Sequence, residues 1–217
     1  MHFLTGLPFS GQDEITKILE QNPKIKLYNN SPLFNTTNSI IEQTLAQGGY
    51  DKQCPVEKRE RIIKNVFEAY SDNEINIDVN YRWNYMLPLI KTLGHAKVIC
   101  CVRDIVSILN QYEHDFNSNP YDHGYSSSVY SRCNDLMTNS PMIDAYQSVK
   151  QIQSSNLILL EYDILMNNPN IIIKSIYKYL KLDYFEHDYS DIKPKTLPPL
   201  LPPDIINQYS NLEIWRV

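Results

Sequence analysis

Gly6 and Gly11 enclose Leu7, Pro8, Phe9 and Ser10, and Gln12 and Asp13 follow at once. Two glycines with four residues between them have the spacing of a phosphate-binding loop, G-x-x-x-x-G-K-[ST]. The chemistry of that spacing is anion binding. Converging backbone N–H groups and the positive end of the next helix meet at one point. The two completing positions here are Gln12 and Asp13 rather than Lys and Ser or Thr. Without them a nucleoside-triphosphate kinase loses its β/γ-phosphate contact and its Mg2+ ligand, so that reading is the weakest. Arg103, which follows the apolar run 97–102, is the second group suited to an anion. A structural ion pair with Asp104 or Asp163 is its alternative use. His114, His123 and His187 show no spacing to a partner, which suits surface or packing roles.

These groups need elements to position them. Residues 2–5 form a short apolar strand before the loop, and Gln12 or Asp13 is placed to cap a helix through Ile15, Ile18 and Leu19. Further strands are expected at 24–28, 75–79, 97–102 and 156–161, the last two as continuous apolar runs of the buried parallel kind. Helices are expected at 39–47, 55–70, 82–93, from 105 to about 113, 129–137, 141–154 and 170–180. The polar stretch 116–128 reads as a loop, and 193–203, with five prolines, as irregular chain. Strands alternating with helices give an α/β fold with a central, mainly parallel sheet. Ligands of such sheets bind at the carboxyl ends of strands, where the opening loop lies.

The 217 residues suit one domain, 1–217. A net charge of −5 disfavours a general nucleic-acid binder. No apolar run approaches the ~18 residues of a membrane span, and the chain enters a strand at once without a signal peptide. The four cysteines, Cys54, Cys100, Cys101 and Cys133, lack metal-ligand spacing and fit a reduced, cytoplasmic setting. Cys100 and Cys101 are expected to face opposite sides of a strand.

Seven stretches in register resemble the sulfotransferases, in particular the bacterial branch similar to tyrosyl-protein sulfotransferases. They are residues 4–11 with 19–23; Asp78, Asn80 and Trp83; 97–105; 129–132; 160–163 with Asn168 and Pro169; 185–188; and 201–204 before Trp215 and Arg216. The resemblance implies a P-loop-NTPase-like three-layer fold. It implies binding of 3′-phosphoadenosine-5′-phosphosulfate and transfer of its sulfuryl group to a hydroxyl or amine. No metal is implied. The acceptor is left open among a carbohydrate, a phenol and a peptide tyrosine. Tyr121, Tyr125 and Tyr130, beside Asp122 and His123, either line an acceptor cleft or belong to a solvated loop.

In the family the loop reads G-x-P-[KR]-S-G-[ST]-[ST], its basic residue and hydroxyls holding the 5′ end of the donor. This chain keeps Gly6, Pro8, Ser10 and Gly11 but has Phe9, Gln12 and Asp13 at the basic and hydroxyl positions. Arg103 occupies the place of a 3′-phosphate arginine, with Gln111 where a serine is expected eight residues on; Ser107 is a substitute. Arg132, matched through Ser131-Arg132, is the candidate for a second phosphate contact. The donor set implied is therefore Pro8, Phe9, Ser10, Gly11, Gln12, Asp13, Arg103, Gln111 and Arg132. Lys17 or Lys52 is placed to restore a positive charge. The segment between Asp188 and Pro198 is short beside the family's basic, glycine-containing one. A catalytically impaired binding or interaction module is the alternative to an active enzyme.

Overall fold

The computed structural model describes residues 1–29, 31–45, 54–71, 75–92, 94–119, 128–138, 141–151, 156–193 and 197–212. Lys52, Tyr121, Asp122, His123, Tyr125, Trp215 and Arg216 lie outside the described residues.

Among the described residues five parallel strands form one sheet: β1 (His2–Gly6), β2 (Ile25–Asn29), β3 (Ile75–Val79), β4 (Val98–Val102) and β5 (Leu157–Glu161), in the order β2-β3-β1-β4-β5. From β1 the chain runs outward to β2 and back to β3, then crosses to β4 and out to β5. The direction of winding therefore reverses at β1, which opens a crevice at its carboxyl end between β3 and β4. The central strands β1 and β4 are buried on both faces because helices cover both. Phe3 and Leu4, neighbours in β1, are each fully buried and belong to different cores. Cys100 and Cys101 divide in the same way, as strand alternation demands. Burial drives the Cys100 thiol up to about 12 and that of Cys101 well above its usual range, which leaves both unreactive.

One face packs α1 (Gln12–Leu19), α8 (Tyr162–Asn167) and α9 (Pro169–Leu180) around Leu4, Ile77 and Ile99. Beside this core His187 is buried, its Nε2 2.9 Å from the Tyr177 hydroxyl, a packing role. The other face carries α2 (Leu33–Leu45), α3 (Val56–Ala69), a 3-10 helix (Tyr81–Met86), α4 (Leu87–Thr92), α5 (Ile105–Ser118), α6 (Val129–Thr138), α7 (Pro141–Gln151) and α10 (Pro203–Tyr209). Trp83 is fully buried at the centre of this second core, in edge contact with Phe34 and Phe67.

Several boundaries depart from the sequence expectation for local reasons. α1 is capped by neither Gln12 nor Asp13. Its N-cap is Gly11, with no side-chain hydrogen bond. α2 starts at Leu33 rather than near 39, because burial of Leu33 and Thr37 overrides the weak helix propensity of 35–38. The single helix expected over 82–93 begins as a 3-10 helix, and Pro88, lacking an N–H, prevents an unbroken α ladder. α5 runs on to Ser118, which places Asp115 on a helix. α8 and α10 interrupt stretches expected to be irregular or strand-flanking; each is under eight residues and too short to show a period.

Candidate active site

The loop after β1 is shaped from below by packing. A Cβ on Gly6 would stand 2.7 Å from the Cys101 carbonyl oxygen and 2.8 Å from the Ser10 Oγ, so β1 and β4 could not approach with any other residue there. The Leu7 amide donates to the Cys101 carbonyl at 2.9 Å. The single Ser10 hydroxyl proton is shared between the carbonyls of Leu7 (2.5 Å) and Cys101 (2.9 Å). Ser10 is thus buried as a staple between loop and β4, its hydroxyl engaged by those two carbonyls. Gly11 sits at φ 94, and a Cβ on it would strike the Leu165 side chain at 2.7 Å. Phe9 also has a left-handed backbone (φ 56), an uncommon state for a non-glycine residue.

The end of β3 is bolted to the same loop. Asn84 Nδ2 donates to the Gly6 carbonyl at 2.9 Å, and the Thr5 hydroxyl donates to the Tyr81 carbonyl at 3.0 Å. Beneath them, buried Asp78 accepts from Trp83 Nε1 at 2.7 Å and from the Ser31 hydroxyl. Desolvation holds the Asp78 carboxyl above its usual range, against the two hydrogen bonds that lower it.

Above the strand ends lies a cleft of about 930 Å3. The loop residues Pro8 to Asp13, Arg103 and Tyr162 at the strand ends, and Gln111, Tyr112 and Asp115 on α5 all line it. Arg103 Nη1 donates to the Phe9 carbonyl at 3.0 Å, and its guanidinium lies 4.1 Å from the Tyr162 ring centroid. Among the described residues it makes no ion pair with Asp104 or Asp163. Asp104 instead caps α5, accepting from the Ser107 amide at 2.8 Å. Among the described residues, the charges lining the cleft are the carboxylates of Asp13, Glu14, Glu20 and Asp115 against the cations of Lys17 and Arg103. Burial pushes the Tyr112 phenol up to about 12, so it stays neutral. A smaller space of about 320 Å3 lies on the far side of Arg103, lined by Ser107, Asn110 and Asp163. Its wall at 198–200 is tied to α5 through Asn110, which donates to the Pro198 carbonyl and accepts from the Leu200 amide.

This arrangement has the parts of an anion site: an uncapped helix N-terminus, a glycine loop fixed by packing, and an arginine at the adjoining strand end. The model of the sulfotransferase family matches residues 3–186. The chain belongs to the sulfotransferase family. No curated protein matches it. Among solved structures, a sulfotransferase from Alicyclobacillus acidocaldarius superposes with a TM-score of 0.62 at 12% identity, covering 95% of this chain and 88% of that one. The sulfotransferase domain of the Synechococcus PCC 7002 olefin synthase gives 0.53 at 14% identity over 97% and 93%. A mouse sulfotransferase complexed with PAP gives 0.55 at 15% identity, over 85% of this chain and 60% of that one. These likenesses establish the P-loop-NTPase-like three-layer fold.

Within this sulfotransferase, eight of the nine donor-site residues expected from sequence line one cleft: Pro8, Phe9, Ser10, Gly11, Gln12, Asp13, Arg103 and Gln111. Arg132 does not join them. It projects from α6 onto α5, where its Nε and Nη2 donate to Glu113 at 2.8 and 2.5 Å and its guanidinium stacks 3.8 Å from the Phe116 centroid. Glu113 is buried, and a buried carboxylate demands such a partner. Arg82, just past the end of β3, donates to Asn35 and lies over Phe34. Lys17 lines the cleft. Asn84 and Tyr112 were missed from sequence. Their only signal was position: one lies shortly after a strand end, the other one helical turn from Ile108.

Proposed function

We propose that this sulfotransferase-family chain, as one domain over 1–217, binds 3′-phosphoadenosine-5′-phosphosulfate in the cleft and transfers its sulfuryl group to a hydroxyl acceptor. The observation that carries the reading is the uncapped N-terminus of α1 held beside Arg103 by a loop whose bends are set from within the core. The mouse relative is complexed with PAP, which supports the same donor here. The backbone N–H groups of the loop and of the first turn of α1 meet the 5′ phosphosulfate. As the bridging S–O bond breaks, negative charge grows on the departing phosphate, and fixed donors stabilise that charge without reorganising. Arg103, lying between the two spaces, supplies a second anion contact toward the 3′-phosphate, with Ser107 and Gln111 as its polar neighbours.

Phe9, Gln12 and Asp13 bring no positive charge or hydroxyl to this task, and losing one such donor costs roughly 3 kcal/mol of barrier, about a hundredfold in rate. A slow enzyme follows. Titration calorimetry with adenosine 3′,5′-bisphosphate tests the reading: binding is expected, and Arg103→Ala weakens it at least tenfold. Silence at millimolar nucleotide sinks donor binding. The lack of positive charge and hydroxyls at Phe9, Gln12 and Asp13 supports a second reading, a module that holds the nucleotide without turnover. Sulfuryl transfer followed with labelled donor separates the two.

A further inference from the structure

We propose that Asn110 is a positioning residue for the donor: its side-chain amide holds the strap 197–201 in place as a wall of the nucleotide site beside Arg103. The inference rests on the donor reading and adds to it a wall and the residue that fixes that wall. The strap has no regular secondary structure and reads Leu197-Pro-Pro-Leu-Leu201, with Pro202 and Pro203 after it. Proline fixes its own φ and keeps the residue before it extended. Proline also lacks an N–H, so within 198–203 only Leu200 and Leu201 have a backbone donor. A segment with so few donors cannot pair along its length with a strand. Side chains must hold it instead.

α5 supplies them. Asn110 Nδ2 donates to the Pro198 carbonyl at 3.1 Å, while its Oδ1 accepts from the Leu200 amide at 2.7 Å. One side chain thereby makes both bonds that a neighbouring strand would make, because an amide carries a donor and an acceptor side by side. His114, one turn further along α5, donates from Nε2 to the same Pro198 carbonyl at 2.8 Å. Downstream, Leu201 is buried in the core and α10 carries Ile205 into it. The strap is therefore held at 198, 200 and 201.

These bonds decide which residues face the smaller space beside Arg103. Side chains of an extended chain alternate. Leu197, Pro199 and Leu201 line that space, while Leu200 stays 40% exposed. Arg103 borders both this space and the main cleft, so a nucleotide whose 3′-phosphate meets Arg103 lies against the strap. Pro198 and Leu200 are exposed, so without Asn110 their carbonyl and amide turn to water at little cost in stability. The wall, however, loses its fixed place. Binding then suffers, because a loosened segment must be ordered again when the nucleotide arrives.

The experiment measures adenosine 3′,5′-bisphosphate binding by calorimetry on the full chain, on Asn110→Ala, on Leu200→Pro and on the double variant. Leu200→Pro deletes the N–H that Asn110 accepts, and it leaves α5 and the side chains lining the space untouched. Asn110→Ala is expected to weaken binding about tenfold and Leu200→Pro a few-fold. The double variant is expected to bind no more weakly than Asn110→Ala alone, because both changes act through one strap. Urea midpoints are expected to stay near the parent's, and hydrogen exchange at the Leu200 amide to speed up in Asn110→Ala. Additive losses mean that Asn110 touches the nucleotide directly, and they overturn the positioning role. Unchanged affinity in Asn110→Ala, unchanged exchange at Leu200, or a binding loss that only follows a lowered urea midpoint overturns the proposal alone. No binding by the unsubstituted chain overturns the donor reading and the proposal with it.

Discussion

The loop after β1 and the turn after β4 meet at one cleft, yet they answer to different constraints. In the first, Gly6, Ser10 and Gly11 are set by packing against β4 and α8. Each is held by contacts that leave no room for another side chain or donor. Phe9, Gln12 and Asp13 belong to the same loop but line the cleft, and they share none of the family's charge or hydroxyls. In the second, the inward residues Cys101 and Val102 are sheet core, while Arg103 faces the cleft and retains its charge. The contrast teaches that packing preserves a loop's course independently of its chemistry. A phosphate-loop geometry persists here because the sheet needs it, whatever the loop now binds.

The sharpest break of this comparison is Gly6→Ala. With its new Cβ 2.7 Å from a backbone oxygen, the variant should lose about 3 kcal/mol of stability, measured by urea unfolding. A variant as stable as the parent would show that the loop is not held from within. Next comes Arg132→Ala, which strands the buried Glu113 carboxylate. A loss of about 2 to 3 kcal/mol is expected, discounted from a fully buried pair because Arg132 keeps 17% of its side chain exposed. Its affinity for adenosine 3′,5′-bisphosphate should stay unchanged, and a tenfold drop at intact stability would return Arg132 to the phosphate site. The smallest effect is expected from the outward half. Phe9→Lys should leave the unfolding midpoint nearly where it is and tighten nucleotide binding about tenfold, roughly 1.4 kcal/mol. Weaker binding in that variant would mean that the aromatic ring, and not the missing charge, now serves the nucleotide.

Much of this was legible in the chain. The continuous apolar run at 97–102 and the alternation of strands with helices specified a parallel sheet, and Gly6 with Gly11 located the loop at the carboxyl end of its first strand. Arg132 shows where reading stops. Its neighbours Ser131 and Cys133 carry no sign that α6 would lie against α5, nineteen residues back, so that Glu113 could claim the guanidinium. Asn84 is similar. An asparagine five residues past β3 has no local mark of a long-range bond to the Gly6 carbonyl, because that bond exists only once β3 pairs with β1.

By itself the sequence determined what depends on near neighbours along the chain: the strands and the longer helices, the glycine spacing of the loop, and the loss of its charged and hydroxyl positions. Short-range sterics and hydrophobic periodicity act within a few residues, so they can be read in one dimension. The tertiary structure alone decided which side chains share a space. It turned Ser10 inward as a staple, assigned Arg132 to Glu113, and brought Tyr112 and Asp115 of α5 across to Phe9. Those outcomes depend on how strands 90 or more residues apart in the chain pair and how helices pack on them. Only the folded core brings such distant groups within a few ångströms.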